Sequence, residues 1–239
     1  MVRRDDYRTT LAALDGDWES YLLAQSGLPG PRANLELLQA AADAGSLEQF
    51  RRWLGSDAEY LSACGAVGLG RLIAEGQRDL LDELRQHAND GRWRVREGVA
   101  MGLQRLGARD MPELVETMCR WQSGTLLERR AVVAALCEPP LLRDDPAAAE
   151  ATLHILDEIT AGLAVVSDRR TEDFKALRRA LAYGWSVAVA ALPDAGKPLL
   201  ERWLRSADRD IAWLAQENLK KDRLRRMDPA WLALVSDRG

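Results

Sequence analysis

The chain has 239 residues, a formal net charge of −4 and 47% hydrophobic residues. It holds 38 Leu and 36 Ala against 4 Ile, 12 Val, 7 Thr and 2 Phe, a balance that favours helix and speaks against an all-β or alternating β/α fold. Twenty-nine Arg stand against 4 Lys; the mild overall acidity argues against bulk nucleic-acid binding but leaves room for a basic stripe on one face.

The start, Met1-Val2-Arg3-Arg4-Asp5-Asp6, is charged and no apolar run follows it, so a secretory signal is not expected, and no segment has the length of apolar sequence that a membrane span needs. Residues 7–25 read as one or two helices around Leu11, Leu14, Trp18, Leu22 and Leu23. Ser26-Gly27-Leu28-Pro29-Gly30-Pro31-Arg32 is the most loop-like stretch. Asn34 then caps a helix over Leu35–Ala44. From residue 47 to 137 a period of 34 runs without gaps: Leu47, Leu81 and Val115 are equivalent, as are Phe50, Leu84 and Met118, and Ala66, Ala100 and Ala134. Each copy reads as a short first helix (Leu47–Leu54, Arg78–Ala88, Met111–Trp121), a polar turn and a second helix (Ala58–Ala74, Trp93–Leu106, Leu126–Cys137). Small residues recur on the second helices, among them Gly65, Gly68, Gly70, Gly98 and Gly102, and imply close helix–helix approach. A phosphate loop is the weaker reading of these glycines, because no strand precedes them and no Lys-Ser/Thr follows.

After Cys137 the regularity breaks. Glu138-Pro139-Pro140 ends a helix and Asp144-Asp145-Pro146 starts the next, predicted over 147–166 and partnered by Glu172–Leu192. Val187 to Leu192 echo positions 56 residues earlier, so this unit is about 22 residues longer than the others. A last pair is expected at Lys197–Arg205 and Ile211–Leu224, with Trp231-Leu232 covering the open end of the stack. The organisation this predicts is a single domain over 1–239: a helical cap (1–45), three regular repeats (46–138), an enlarged repeat (139–192), and a last repeat with a C-terminal cap (193–239). The fold class is all-α, a right-handed α-α superhelix of about five helix pairs.

Asp90 and Arg96 stand where a HEAT repeat carries the Asp and Arg of its inter-repeat ladder, and Arg130 holds the phase of Arg96. The tetratricopeptide repeat shares the period, but its residue pattern is missing. Trp93-Arg94-Val95-Arg96-Glu97, the loop Ser26–Asn34 and the ending Glu217-Asn218-Leu219-Lys220-Lys221 resemble a group of bacterial HEAT-repeat (armadillo-type) proteins. That resemblance implies a concave face lined by second helices that binds extended partners. A more remote resemblance is to the HEAT-like alkylpurine DNA glycosylases. In the segment Trp121–Ala131, Trp121, Ser123, Arg129, Arg130 and Ala131 match, while Leu127 stands in place of a second aromatic residue. The acidic residue this chemistry needs beside the aromatic surface is absent from that segment's loop.

The expected function is therefore a non-enzymatic scaffold that binds a protein or peptide partner in its concave face, with DNA binding or base excision as the alternative. Arg92, Trp93, Arg94, Arg96, Arg129 and Arg130 are the candidate binding residues. Arg96 and Arg130 are expected in the ladder with Asp90 and Glu128, leaving Arg92 and Arg94 freer to meet a partner, with Trp93 as an aromatic anchor. No catalytic residue, cofactor or metal site is expected: His87 and His154 lie far apart, and Cys64, Cys119 and Cys137 are an odd set without CxxC spacing, which fits a reduced, cytoplasmic setting.

Overall fold

In a computed structural model, which describes residues 3–14, 17–30 and 32–236, every regular element among the described residues is helical. Met1 and Val2 of the charged start, Asp15 and Gly16 of the head and Pro31 of the loop lie outside the described residues. The chain divides between Arg109 and Asp110 into two compact units, a division that falls between the second and third 34-residue copies.

The first unit holds α1 (Arg4–Ala13), α2 (Glu19–Ala24), α3 (Leu35–Ala44), α4 (Leu47–Leu54), α5 (Glu59–Ala74), α6 (Leu81–His87, entered through a 3-10 turn at Arg78–Leu80) and α7 (Trp93–Arg109). Local chemistry sets the starts. Asn34 accepts a hydrogen bond from the Leu37 N–H at 3.1 Å, and Ser46 and Gln49 form a reciprocal capping box at the head of α4. α5 is the centre of this unit, packed on α3, α4 and α7. It is buried on nearly all sides, from Tyr60 to Ile73, as a helix that is apolar all round must be. A Cβ on Gly70 would fall 2.1 Å from the Gly102 Cα, and one on Gly98 would fall 2.8 Å from the Ala63 carbonyl oxygen. The small-residue stripes of α5 and α7 thus lie backbone against backbone.

The second unit holds α8 (Met111–Trp121), α9 (Leu126–Leu136), α10 (Pro139–Leu142), α11 (Pro146–Leu163), α12 (Glu172–Ala191), α13 (Pro193–Leu204), α14 (Arg209–Leu219), α15 (Asp222–Met227) and α16 (Pro229–Ser236). Its second helices stack as α9–α12–α14, while its first helices stack behind them as α8–α11–α13. Taken unit by unit this is an all-α, solenoid-like fold: α4/α5 and α6/α7 pair in the first unit, and α8/α9, α11/α12 and α13/α14 pair in the second. Asp110, Thr125, Asp145, Thr171 and Asp208 each cap a helix with a side-chain oxygen.

Several helix ends differ from the sequence expectation by a few residues, and three differences have a plain physical reason. Pro139-Pro140 begins the short helix α10, because proline is tolerated in a first turn whose N–H groups have no intrahelical acceptor. α13 begins at Pro193 rather than Lys197 for the same reason. The predicted helix Ile211–Leu224 is two helices, broken at Lys220-Lys221, and α15 packs on α12 with Leu224 fully buried. Trp231 is buried on α16, its indole N–H donating to Glu201 at 2.8 Å.

Candidate functional site

Four of the six candidate residues open α7 in the first unit. Asp90 ends the turn before it and accepts the Arg92 N–H at 2.7 Å. That bond pins the Arg92 backbone beside the carboxylate, and its guanidinium forks onto the same group, Nε at 2.9 Å and Nη2 at 2.7 Å. A further arm of Arg92 donates to the Ser56 carbonyl at 2.7 Å, tying this turn to the one between α4 and α5. The Arg92 bond holds the Asp90 carboxyl below its ordinary value, and Asp90 in turn raises Arg92.

Arg92 as well as Arg96 is anchored at this turn. Arg92 takes the Asp90 carboxylate, whereas Arg96 donates to the carbonyls of Asp90 and Gly91 at 2.6 and 2.9 Å. Arg94 is not free either. Its backbone N–H and its guanidinium both reach Glu59 at the head of α5, at 2.9 and 3.2 Å. Trp93 is the exposed member, 51% accessible, with the Arg94 guanidinium 5.6 Å from its ring centre.

Beside this turn lies a cavity of about 420 Å³, lined by Leu23, Leu28, Pro29 and Tyr60, with Glu59 and Arg94 at its polar edge. The loop that forms one wall is tied down. Ser26, nearly fully buried, donates to the Leu23 carbonyl at 2.8 Å and accepts the Leu28 N–H at 3.1 Å. Its own carbonyl accepts the Asn34 N–H at 2.8 Å. Gly27 has φ +75°, and a Cβ there would meet the Arg32 carbonyl oxygen at 2.7 Å, so the turn requires glycine. The Tyr60 hydroxyl donates to the Asn34 carbonyl at 2.7 Å, and burial pushes its phenol well above the ordinary value.

The other two candidates, Arg129 and Arg130, lie on α9 in the second unit, both half-buried. Arg129 donates from Nε to the Gly124 carbonyl at 3.0 Å. Glu128 serves a capping box with Thr125. Trp121 is 3% exposed and Trp53 fully buried, so neither offers an aromatic surface to a ligand. Sequence reasoning missed the strongest rung of this unit. Arg169, in the loop before α12, forks onto Asp208 at 2.9 and 2.6 Å and also reaches Asp210 at 3.1 Å. The signal was available: Asp208 sits in the turn of its helix pair, as Asp90 does.

Among the described residues no three His, Cys, Asp or Glu side chains gather as a metal site requires, and no helix is long and apolar enough to cross a membrane. Cys64, Cys119 and Cys137 are free thiols.

No protein-family model matches the chain, and no curated protein matches it. Crystal structures of three engineered proteins are similar to it. One is 20% identical over 93% of this chain and 97% of its own, with a TM-score of 0.38. The second is 17% identical over 94% and 99%, with a TM-score of 0.39. The third is 19% identical over 90% of this chain and 57% of its own, with a TM-score of 0.38.

Proposed function

We propose that the chain is a non-enzymatic, HEAT-like helical scaffold that binds a peptide segment of a partner protein at the head of α7. The partner inserts an apolar side chain into the cavity between the 26–29 loop and α5 and packs against Trp93. The observation that carries this reading is a half-exposed indole, Trp93, with the Arg94 guanidinium 5.6 Å from its ring centre, Arg94 itself lining a cavity of about 420 Å³. Aromatic residues set next to a pocket are the usual anchors of protein recognition. The charge pattern supports a peptide over nucleic acid here, because Arg92 and Arg94 are each matched by a carboxylate and the patch carries little free positive charge. The Arg94–Glu59 pair supplies one donor and one acceptor at the cavity edge for a peptide backbone.

Selection of displayed random peptides on the immobilised protein tests this, with Trp93→Ala as the counter-selection. Peptides with a shared apolar anchor are expected, binding the variant about 30-fold more weakly, as loss of a central aromatic anchor costs. No enrichment, or equal binding to the variant, overturns it.

A further inference from the structure

The second unit carries a cavity whose chemistry differs from that of the Trp93 site. It has a volume of about 380 Å³. Its floor is one face of α12, where Val187, Ala190 and Ala191 follow Tyr183 at helical spacing. Its walls come from two short elements that both pack on α12: the end of α10, with Arg143, and α15, with Arg223 and Arg226 three residues apart on one face. Three guanidiniums line this cavity and no carboxylate does.

The state of those three arginines sets the site apart. By contrast, Arg92 and Arg169 fork onto carboxylates and Arg94 reaches one with a single arm. Even Arg225, on the same short helix, is paired with Asp222. Arg223 is held by a neutral group: it lies 4.5 Å from the Tyr183 ring centre and donates to the Tyr183 hydroxyl at 2.5 Å. Among the described residues the guanidiniums of Arg143 and Arg226 have no carboxylate partner. The charge of Arg223 is felt inside the unit: burial pushes the Cys137 thiol up to about 12, and Arg223 pulls against it.

We propose that this cavity binds a small phosphate-bearing molecule, its phosphate oxygens held by Arg143, Arg223 and Arg226 and its apolar part laid on Val187, Ala190 and Ala191. Arginine forks match the tetrahedral oxygens of phosphate in pairs, and three uncompensated guanidiniums suit a di- or polyanion better than a single carboxylate. The volume lies at the small end of ligand cavities, which favours a metabolite-sized molecule over a polymer. Tyr183 fixes one arm of Arg223 in advance, so less side-chain freedom is lost on binding.

The test is calorimetric titration of the full chain with inorganic pyrophosphate, inorganic phosphate, citrate and a single-stranded oligonucleotide. Pyrophosphate is expected to bind more tightly than phosphate, and both more tightly than citrate. Replacing Arg143 and Arg226 together with Ala weakens pyrophosphate by about 100-fold, about tenfold for each charged hydrogen-bonding group removed. Arg143→Lys/Arg226→Lys is expected to recover part of the affinity, since lysine keeps the charge without the fork. Arg225→Ala, which removes a carboxylate-paired cation from the same helix, leaves it unchanged. Arg143 and Arg226 are exposed, and an unaltered thermal midpoint in the double variant shows that the fold is kept. The proposal is overturned if pyrophosphate does not bind the wild type, if the double variant binds as well as the wild type, or if only the oligonucleotide binds.

Discussion

Asn218 has no exposed surface, and both ends of its side-chain amide are used. Its oxygen accepts the Ser186 N–H at 2.8 Å, and its nitrogen donates to the carbonyls of Leu181 and Leu214 at 2.9 and 2.7 Å. The residue therefore staples α14 to the middle of α12. Asn218→Ala leaves these buried backbone groups short of a partner and opens a small void. A loss of about 2–3 kcal/mol is expected in urea unfolding, and a change below about 0.5 kcal/mol, the size of an ordinary surface substitution, would show that water replaces the amide. Nothing in the helical period marks Asn218, because its partners on α12 lie 32 and 37 residues upstream. The grip of Arg92 on Asp90 has a related cause. Spacing tells which residues share a turn, but the Asp90 carboxylate was claimed by the nearest N–H, and the guanidinium attached to that residue followed.

The glycines of α5 and α7 are informative at the scale of the element. Gly70 and Gly102 touch through their backbones, so Gly70→Ala puts a methyl group where the opposing Cα stands. No side chain can swing away to make room, and the two helices must separate over the stretch where the first unit packs most closely. A destabilisation of about 3 kcal/mol or more is expected from such overpacking. Gly91→Ala serves as the contrast: a Cβ there has nothing within 4 Å, and the loss of backbone freedom in the unfolded chain makes it neutral or slightly stabilising. Equal unfolding midpoints for the two variants would refute the close approach. The stripe of small residues was legible in the sequence because glycine repeated at the helix period has few other uses in an element interior. The start of α3 was legible because Asn34 caps it, and those of α4 and α8 because they hold corresponding places in the 34-residue period; in the structure Ser46 and Asp110 cap these two with side-chain oxygens. α10 and α13 were less so: a proline that opens a helix and one that closes it look alike along the chain, and packing decides between them. The cavity beside Trp93 was legible only in parts. The 26–32 loop and the Trp93-Arg94 pair each stood out, but that Leu28, Pro29 and Arg94 line one cavity depends on how α2, α5 and α7 pack, which a period of 34 does not specify.

The charge of the whole chain is close to balanced, with 33 basic against 37 acidic residues, and much of it is spent in pairs that fix turns. This gives stability a direction with pH. Asp90 and Asp208 are held below the ordinary carboxylate value by the forks of Arg92 and Arg169. Asp43 is pushed up by burial, but the hydrogen bonds of Arg4 and Arg105 outweigh this and leave it depressed. Each such group stabilises the fold above the ordinary carboxylate value near 4, and the contribution drains away as pH falls through the lower folded values. His87 acts earlier. Burial is the main cause that lowers it below 6.5, with Arg92 adding to the effect and Asp90 and Glu83 opposing it. As pH falls through about 6.5 the unfolded chain takes up this proton while the folded chain resists it, so folding is penalised from that point down. Acid destabilisation is thus expected in two stages, a shallow one from His87 that begins as pH falls through about 6.5 and a steep one below about pH 4 from the carboxylates. Thermal midpoints measured across this range check it, with His87→Gln expected to flatten the upper stage and leave the lower one in place. If the variant keeps the wild-type slope between those values, the upper stage belongs to other groups. If Asp90→Asn leaves the lower stage untouched, the Arg92 fork does not contribute to the acid limb.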